Sequence, residues 1–190
     1  MPSHLVRISV VLSVASLAVC ASCGDGGGGG GGGIHLGDAA TTVGEPAGLA
    51  GITDLHNQAR AMASPTPSPA MPALVWSDTV AAAATAWAQN CTFEHSGNGY
   101  GENIYAAAGY SPDANDVVSN WISEASDYTY STNKCSGECG HYTQVVWRST
   151  SQLGCAIAQC STNSPWANFP NWTLVVCDYS PPGNSGGKPY

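Results

Sequence analysis

Between residues 52 and 63 the apolar positions Ile52, Leu55, Ala59 and Met62 recur at helical spacing, which predicts an amphipathic helix over 52–63. The stretch 64–72 holds four prolines and reads as a loop. Ser77 is a candidate N-cap for a second helix, carried by the alanine-rich run 80–89 with Trp87 on it. Pro112-Asp113 opens a third, with Val117, Val118, Trp121, Ile122 and Ala125 on its inner face. Beyond it the pattern changes. Residues 141–147, 153–159 and 172–179 are short runs of β-branched and aromatic residues bounded by turn formers, and each predicts a strand. Helices first and strands last describe an α+β domain in which helices cover an antiparallel sheet. No internal repeat is visible.

The N-terminus has a different grammar. Arg7 precedes an apolar run over 8–19, and Cys20-Ala21-Ser22 offers small residues before Cys23. That is a secretory signal peptide over 1–22, too short to span a bilayer as a helix. A cysteine just after the run also resembles the lipid-attachment signal of bacterial lipoproteins. Cys23 has small residues at the cleavage position, whereas Cys20 follows Val19. Two outcomes stand side by side: plain cleavage, or a lipid anchor on Cys23 that would hold the chain on a bacterial outer envelope. The unbroken glycine run 26–33 forms flexible coil. Residues 23–48 are therefore expected to be a tether and 49–190 the folded domain, a size that supports a core.

Composition narrows the partners. Five Lys and Arg stand against 13 Asp and Glu, for a formal net charge of −8. With no basic stripe, nucleic acid is not an expected partner. Contact with a membrane would come only through the N-terminal lipid. Setting aside Cys20 and Cys23, the cysteines are Cys91, Cys135, Cys139, Cys155, Cys160 and Cys177. An even set in an exported domain implies disulfides, whose connectivity the sequence alone leaves open. The alternative is a zinc site, because Cys135-x3-Cys139 with His141 nearby has ligand-like spacing.

Four segments stand out together: His56-Asn57-Gln58-Ala59-Arg60, Gly101-Glu102-Asn103-Ile104-Tyr105, Gly140-His141-Tyr142-Thr143-Gln144-Val145-Val146-Trp147, and Cys177-Asp178-Tyr179-Ser180-Pro181-Pro182-Gly183-Asn184. Their order and spacing resemble the CAP superfamily of cysteine-rich secretory proteins, venom antigen-five allergens and plant pathogenesis-related class-one proteins. The resemblance covers 49–190 and extends to the terminal Lys188-Pro189-Tyr190. It implies a three-layer α-β-α sandwich with a central antiparallel sheet. It also implies the pairings Cys91–Cys160, Cys135–Cys139 and Cys155–Cys177. The family's cleft tetrad would fall on His95, Glu102, Glu124 and His141. Three features depart from the pattern: Asp178 where Asn is usual, the proline loop 64–72, and a long 160–177 segment containing Trp166, Phe169 and Trp172.

Two imidazoles and two carboxylates suit several roles. His95 and His141 could bind zinc or another divalent cation, with Glu102 and Glu124 as further ligands or as groups orienting the rings. Two ring nitrogens alone make a weak site, since catalytic zinc normally has three protein ligands. Without metal, a Glu could serve as base and a His as acid. Alternatively the carboxylates satisfy buried histidines and lock the helices to the sheet. No assembled nucleophile is visible, and Ser96 is only a sequence neighbour of His95. His56 and Arg60, at i and i+4, would bind an anion or pack the first helix. Asn90-Cys91-Thr92 and Asn171-Trp172-Thr173 match the glycosylation sequon. The resemblance adds binding of sterols or fatty acids, for which Tyr128 and Tyr130 offer apolar faces with polar tips. The expected function is a non-catalytic extracellular or cell-surface domain that needs no cofactor and binds a small lipid or sterol-like ligand, or a cell-surface protein. The alternatives are a metal-dependent hydrolase using the tetrad and a purely structural surface protein.

Overall fold

A computed structural model describes residues 36–190. The signal segment, Cys20, Cys23 and the glycine run 26–33 lie outside the described residues. The stretch 36–48, expected to be tether, packs against the first helix. Leu36 is buried, the Gly37 amide donates to Gln58 Oε1 at 2.7 Å, and the Ala40 amide donates to Asp54 Oδ2 at 3.0 Å. Glu45 explains the docking. Its carboxylate accepts from the amides of Thr42, Gly51 and Thr53, the last of which belongs to the first turn of the helix, where amides lack intrahelical partners. Gly51 turns the chain at φ +87°, where a Cβ would meet the Ala39 Cβ at 2.7 Å.

Helix α1 (Ile52–Ala61) buries Ile52, Leu55 and Ala59 as the periodicity requires. After the proline loop come β1 (Val75–Trp76) and α2 (Asp78–Ala88), which begins where the Ser77 hydroxyl accepts from the Val80 amide. Next are β2 (Gly101–Ala108) and α3 (Ala114–Ser123). Asp113 caps α3, and Asp116 reaches back to the Asp113 amide, a reciprocal box. A 3-10 turn, Glu124–Asp127, leads to the hairpin of β3 (Tyr128–Thr129) and β4 (Lys134–Cys135), and on to α4 (Gly140–Val145). The long strands β5 (Gln152–Cys160) and β6 (Trp172–Ser180) close the domain.

The main sheet has the order β1-β5-β6-β2. β6 runs antiparallel to both of its neighbours, β5 and β2, but the short edge strand β1 runs parallel to β5. The sheet is thus mixed rather than wholly antiparallel. The chain enters β1 from a loop and leaves it directly into α2, so no hairpin dictates its direction. Alternate residues divide the core. Tyr105, Ala107, Leu153, Cys155, Val175, Cys177 and Tyr179 face α1, α3 and α4. Ile104, Ala106, Ala156, Leu174 and Val176 face α2. Three α-β-α layers result. Helix α2 comes so close at Gly154 that a Cβ there would lie 2.0 Å from the Ala81 amide nitrogen.

One expected strand is a helix. Residues 141–147 were expected to extend, yet 140–145 are helical and bury Tyr142, Gln144 and Val145. The β-branched and aromatic composition there reflects burial. The cause of the helix is non-local: the Glu124 carboxylate accepts from the amides of His141 and Tyr142, supplying the partners that a helix start needs. Strand β2 was not expected, because it is buried almost throughout and shows no alternation to read.

The disulfides are Cys91–Cys160, Cys135–Cys139 and Cys155–Cys177. Cys155 and Cys177 are direct neighbours across the β5–β6 ladder. With Cys135 and Cys139 bonded to each other, the zinc reading of that pair with His141 falls.

Candidate functional site

The loop after α2 carries His95, and the second residue of β2 is Glu102. The two meet with His95 Nδ1 2.8 Å from Glu102 Oε1, which also accepts from the Ser96 amide at 2.9 Å. Burial pushes the Glu102 carboxyl up, but the hydrogen bonds from His95 and Ser96 outweigh it and hold the group below its usual value. Ser96 serves this pair with both its backbone amide and its side chain, and its hydroxyl also accepts from the Asn98 amide.

The second pair is built at the junction of α3 and α4. Glu124 Oε1 lies 2.6 Å from His141 Nδ1 while Oε2 takes the two α4 amides. The His141 ring lies nearly parallel to Trp121, with centroids 6.0 Å apart. In both pairs Nδ1 faces a carboxylate, which leaves Nε2 as the nitrogen that can take a metal or pass a proton. The carboxylates serve ring and backbone donors. Among the described residues no group of three or more His, Cys, Asp or Glu side chains is placed to hold a metal ion.

A buried polar chain supports His141 from behind. Asn103 Nδ2 donates to the His141 carbonyl and to the Tyr179 hydroxyl, both at 3.1 Å. Tyr179 in turn meets His56 Nε2 at 2.8 Å, and His56 Nδ1 meets the Ile52 carbonyl at 2.7 Å. Burial drives His56 down to about 4, so the ring is neutral near pH 7. Arg60 is also buried and donates to the carbonyls of Pro72, Val145, Trp147 and Thr150. Neither residue faces solvent, so the anion-binding reading of this helix face falls and the packing role stands.

On the outer flank of α4 lies a cavity of about 410 Å³. Its walls include Tyr128, Trp147 and Pro189 as apolar faces, and Asn133, Thr143 and Asn184 as polar groups. Tyr128 donates to Asn133 Oδ1 at 2.6 Å, and Thr143 donates to Asn184 Oδ1 at 2.8 Å. The Cys135–Cys139 disulfide shapes one rim. Of the two tyrosines expected here, only Tyr128 lines the cavity. Tyr130 is stacked on Tyr190 at 4.6 Å, lies under the Lys188 ammonium, and donates to the Tyr190 carbonyl. Asn103, Trp147, Thr143 and Asn184 carried no expected role, although each sits inside one of the four segments singled out above. Sequence order does not reveal that α4 presents Thr143 outward while the C-terminal strand end folds back to meet it.

Comparison with known proteins fits this geometry. The family model of the cysteine-rich secretory proteins matches residues 53–179. Peptidase inhibitor 16 of Mus musculus is 42% identical over 144 residues, covering 73% of this chain and 28% of that protein. Pathogenesis-related protein 1 of Arabidopsis thaliana is 40% identical, covering 72% of this chain and 78% of the relative. The chain thus spans little over a quarter of the mouse protein but most of the plant one. Among solved structures, venom allergen-like protein 4 of Schistosoma mansoni superposes with a TM-score of 0.62 at 24% identity, covering 76% of this chain and 94% of its own, which shows a shared fold. NaASP2, solved with Zn2+, gives a TM-score of 0.57 at 27% identity, covering 76% and 88%.

Proposed function

The chain belongs to the cysteine-rich secretory protein (CAP) family, and on that premise we propose that it is a non-catalytic extracellular or surface-held module that binds a small lipid or sterol-like molecule in the cavity beside α4. The observation behind this reading is the cavity itself. Its volume of about 410 Å³ falls in the range of small-molecule sites, roughly 300–1,000 Å³. Tyr128, Trp147 and Pro189 supply flat apolar surface, and Asn133, Thr143 and Asn184 gather polar groups that can orient a hydroxyl or carboxyl head. The paired histidines then serve structure: Glu124 starts α4, and α4 forms one cavity wall. Export fits the three disulfides and the signal over 1–22. Lipidation of Cys23 would keep the domain at the cell surface on the glycine run.

Gly140 gives a direct test. It lines the cavity, and a Cβ added there meets nothing within 4 Å. Gly140→Trp should fill the space without disturbing the fold. Titrating the purified chain with a fluorescent sterol and a fluorescent fatty acid should show saturable binding of one or both, weakened at least about tenfold by Gly140→Trp. Absence of binding to either probe would overturn the reading. Stoichiometric zinc, lost in His95→Ala/His141→Ala, would instead favour the metal-dependent hydrolase.

A further inference from the structure

The loop between α1 and β1 carries a short repeat. Ser64-Pro65, Thr66-Pro67 and Ser68-Pro69 alternate a hydroxyl with a proline. Neither the cavity beside α4 nor the two histidine pairs use these side chains. Ser64, Thr66 and Ser68 are all exposed. Their hydroxyls make no hydrogen bond among the described residues. Surface hydroxyls elsewhere fold back on the chain: Thr85 donates to the Ala81 carbonyl, Thr92 to that of Asn90 and Ser126 to that of Ser123.

The backbone here is equally open. The amides of Thr66, Ser68, Ala70 and Met71 donate to no backbone carbonyl among the described residues, and the intervening prolines have no N–H to donate. The loop is held from its C-terminal side instead. Arg148 donates to the carbonyls of Pro69 and Ala70, and Arg60 to that of Pro72. Three hydroxyls without a structural task are thus displayed on an anchored segment that proline keeps out of helix and sheet. Serine and threonine interleaved with proline is the composition of O-glycosylated segments, and this geometry supplies what such an acceptor needs: a reachable hydroxyl and an unpaired backbone that an enzyme can bind.

We propose that this loop is an O-glycosylation site, with Ser64, Thr66 and Ser68 as the acceptors. The donor is a sugar carried on a polyprenyl phosphate. The hydroxyl oxygen forms a bond to the anomeric carbon, the bond from that carbon to the phosphate oxygen breaks, the polyprenyl phosphate leaves with the electron pair, and the hydroxyl proton passes to a base of the transferase. The attached sugar projects into solvent and displaces no contact of the fold. Ser-Pro and Thr-Pro also suit proline-directed phosphoryl transfer. That reaction needs ATP inside a cell, whereas three disulfides belong to an oxidising compartment. The inference is independent of the cavity beside α4.

Mass spectrometry of the full chain, purified from the medium or envelope of the cells that make it, tests the assignment. The intact mass should exceed that of the processed polypeptide by whole sugar residues. Fragmentation that keeps the sugar attached should place them on Ser64, Thr66 or Ser68 in the wild type. Ser64→Ala/Thr66→Ala/Ser68→Ala should lose every increment on this loop and keep the urea midpoint of wild-type chain freed of sugar, since no hydrogen bond is removed. An unmodified loop in the exported chain would overturn the proposal. So would sugar found only at Asn90 or Asn171, or phosphate in place of sugar on the three hydroxyls.

Discussion

The Tyr179 hydroxyl donates to His56 Nε2 at 2.8 Å inside a fully closed core. The direction is fixed by the far side of the ring, where Nδ1 faces the Ile52 carbonyl, which can only accept. Tyr179 also accepts from Asn103, whose amide holds the His141 carbonyl. Helix α1, strands β6 and β2, and helix α4 are thus joined by one polar chain. Tyr179→Phe should leave His56 Nε2 without a donor and deprive Asn103 of an acceptor. Urea unfolding should show a loss of about 1–3 kcal/mol, the cost of stranding buried polar groups.

Arg60 holds the loops around α1 and α4 through carbonyl acceptors rather than through a carboxylate. Burial, with Arg148 nearby, lowers its value to about 10, so it remains cationic at neutral pH. Arg60→Met removes every one of those donors and should cost at least about 3 kcal/mol in urea unfolding. Arg60→Lys, with fewer donors and no planar fork, should fall between the two.

Two buried groups tilt the pH dependence in opposite directions. His56 is depressed from 6.5 to about 4, chiefly by burial, so the folded chain refuses a proton that the unfolded chain takes. Its contribution is complete above about 6.5 and is lost as pH falls towards 4. Asp178 is raised from 3.8 to about 7, chiefly by burial, so the folded chain keeps a proton that the unfolded chain releases. That contribution is lost as pH rises from 3.8 to 7. The slopes oppose between about 4 and 6.5. Asp178→Asn removes one of them. Its unfolding free energy should drop on acidification across that window by on the order of 3 kcal/mol, more steeply than in the wild type, and should exceed the wild type above about pH 7.

Cys91–Cys160 spans 69 residues in sequence, whereas Cys135–Cys139 spans 4. In the chain-entropy account the first contributes roughly 4 kcal/mol and the second about 2. Cys91→Ala/Cys160→Ala should therefore lower the urea midpoint markedly more than Cys135→Ala/Cys139→Ala. The smaller pair borders the cavity, so its removal should be felt first in ligand binding.

The helices with local signals were legible: Ile52, Leu55 and Ala59 at helical spacing, Ser77 as a cap, Asp113 opening α3. Failures came where a distant residue decides. Nothing near His141 announces a helix, because the acceptor for its first amides is Glu124, 17 residues earlier. Likewise Glu45 fastens 36–48 to α1 through amides that periodicity does not see. Strand β2 is covered on both faces, which erases the alternation that marks a strand. At the site, the resemblance pointed to both histidines and both carboxylates, and the structure forms them into His95–Glu102 and His141–Glu124. It did not point to the backbone role of Glu124. The tyrosines differ for a similar reason: Tyr130 is claimed by Tyr190 and Lys188, which reach it only after the chain has folded back on itself.

The most direct measurement of ligand binding beside α4 is an amide NMR titration of the labelled chain with a sterol and, separately, with a long-chain fatty acid. Saturable shifts concentrated at Gly137, Gly140, Thr143 and Asn184, and abolished in Gly140→Trp, are the predicted result. Shifts centred on His95 and His141, or none at saturating ligand, would contradict it.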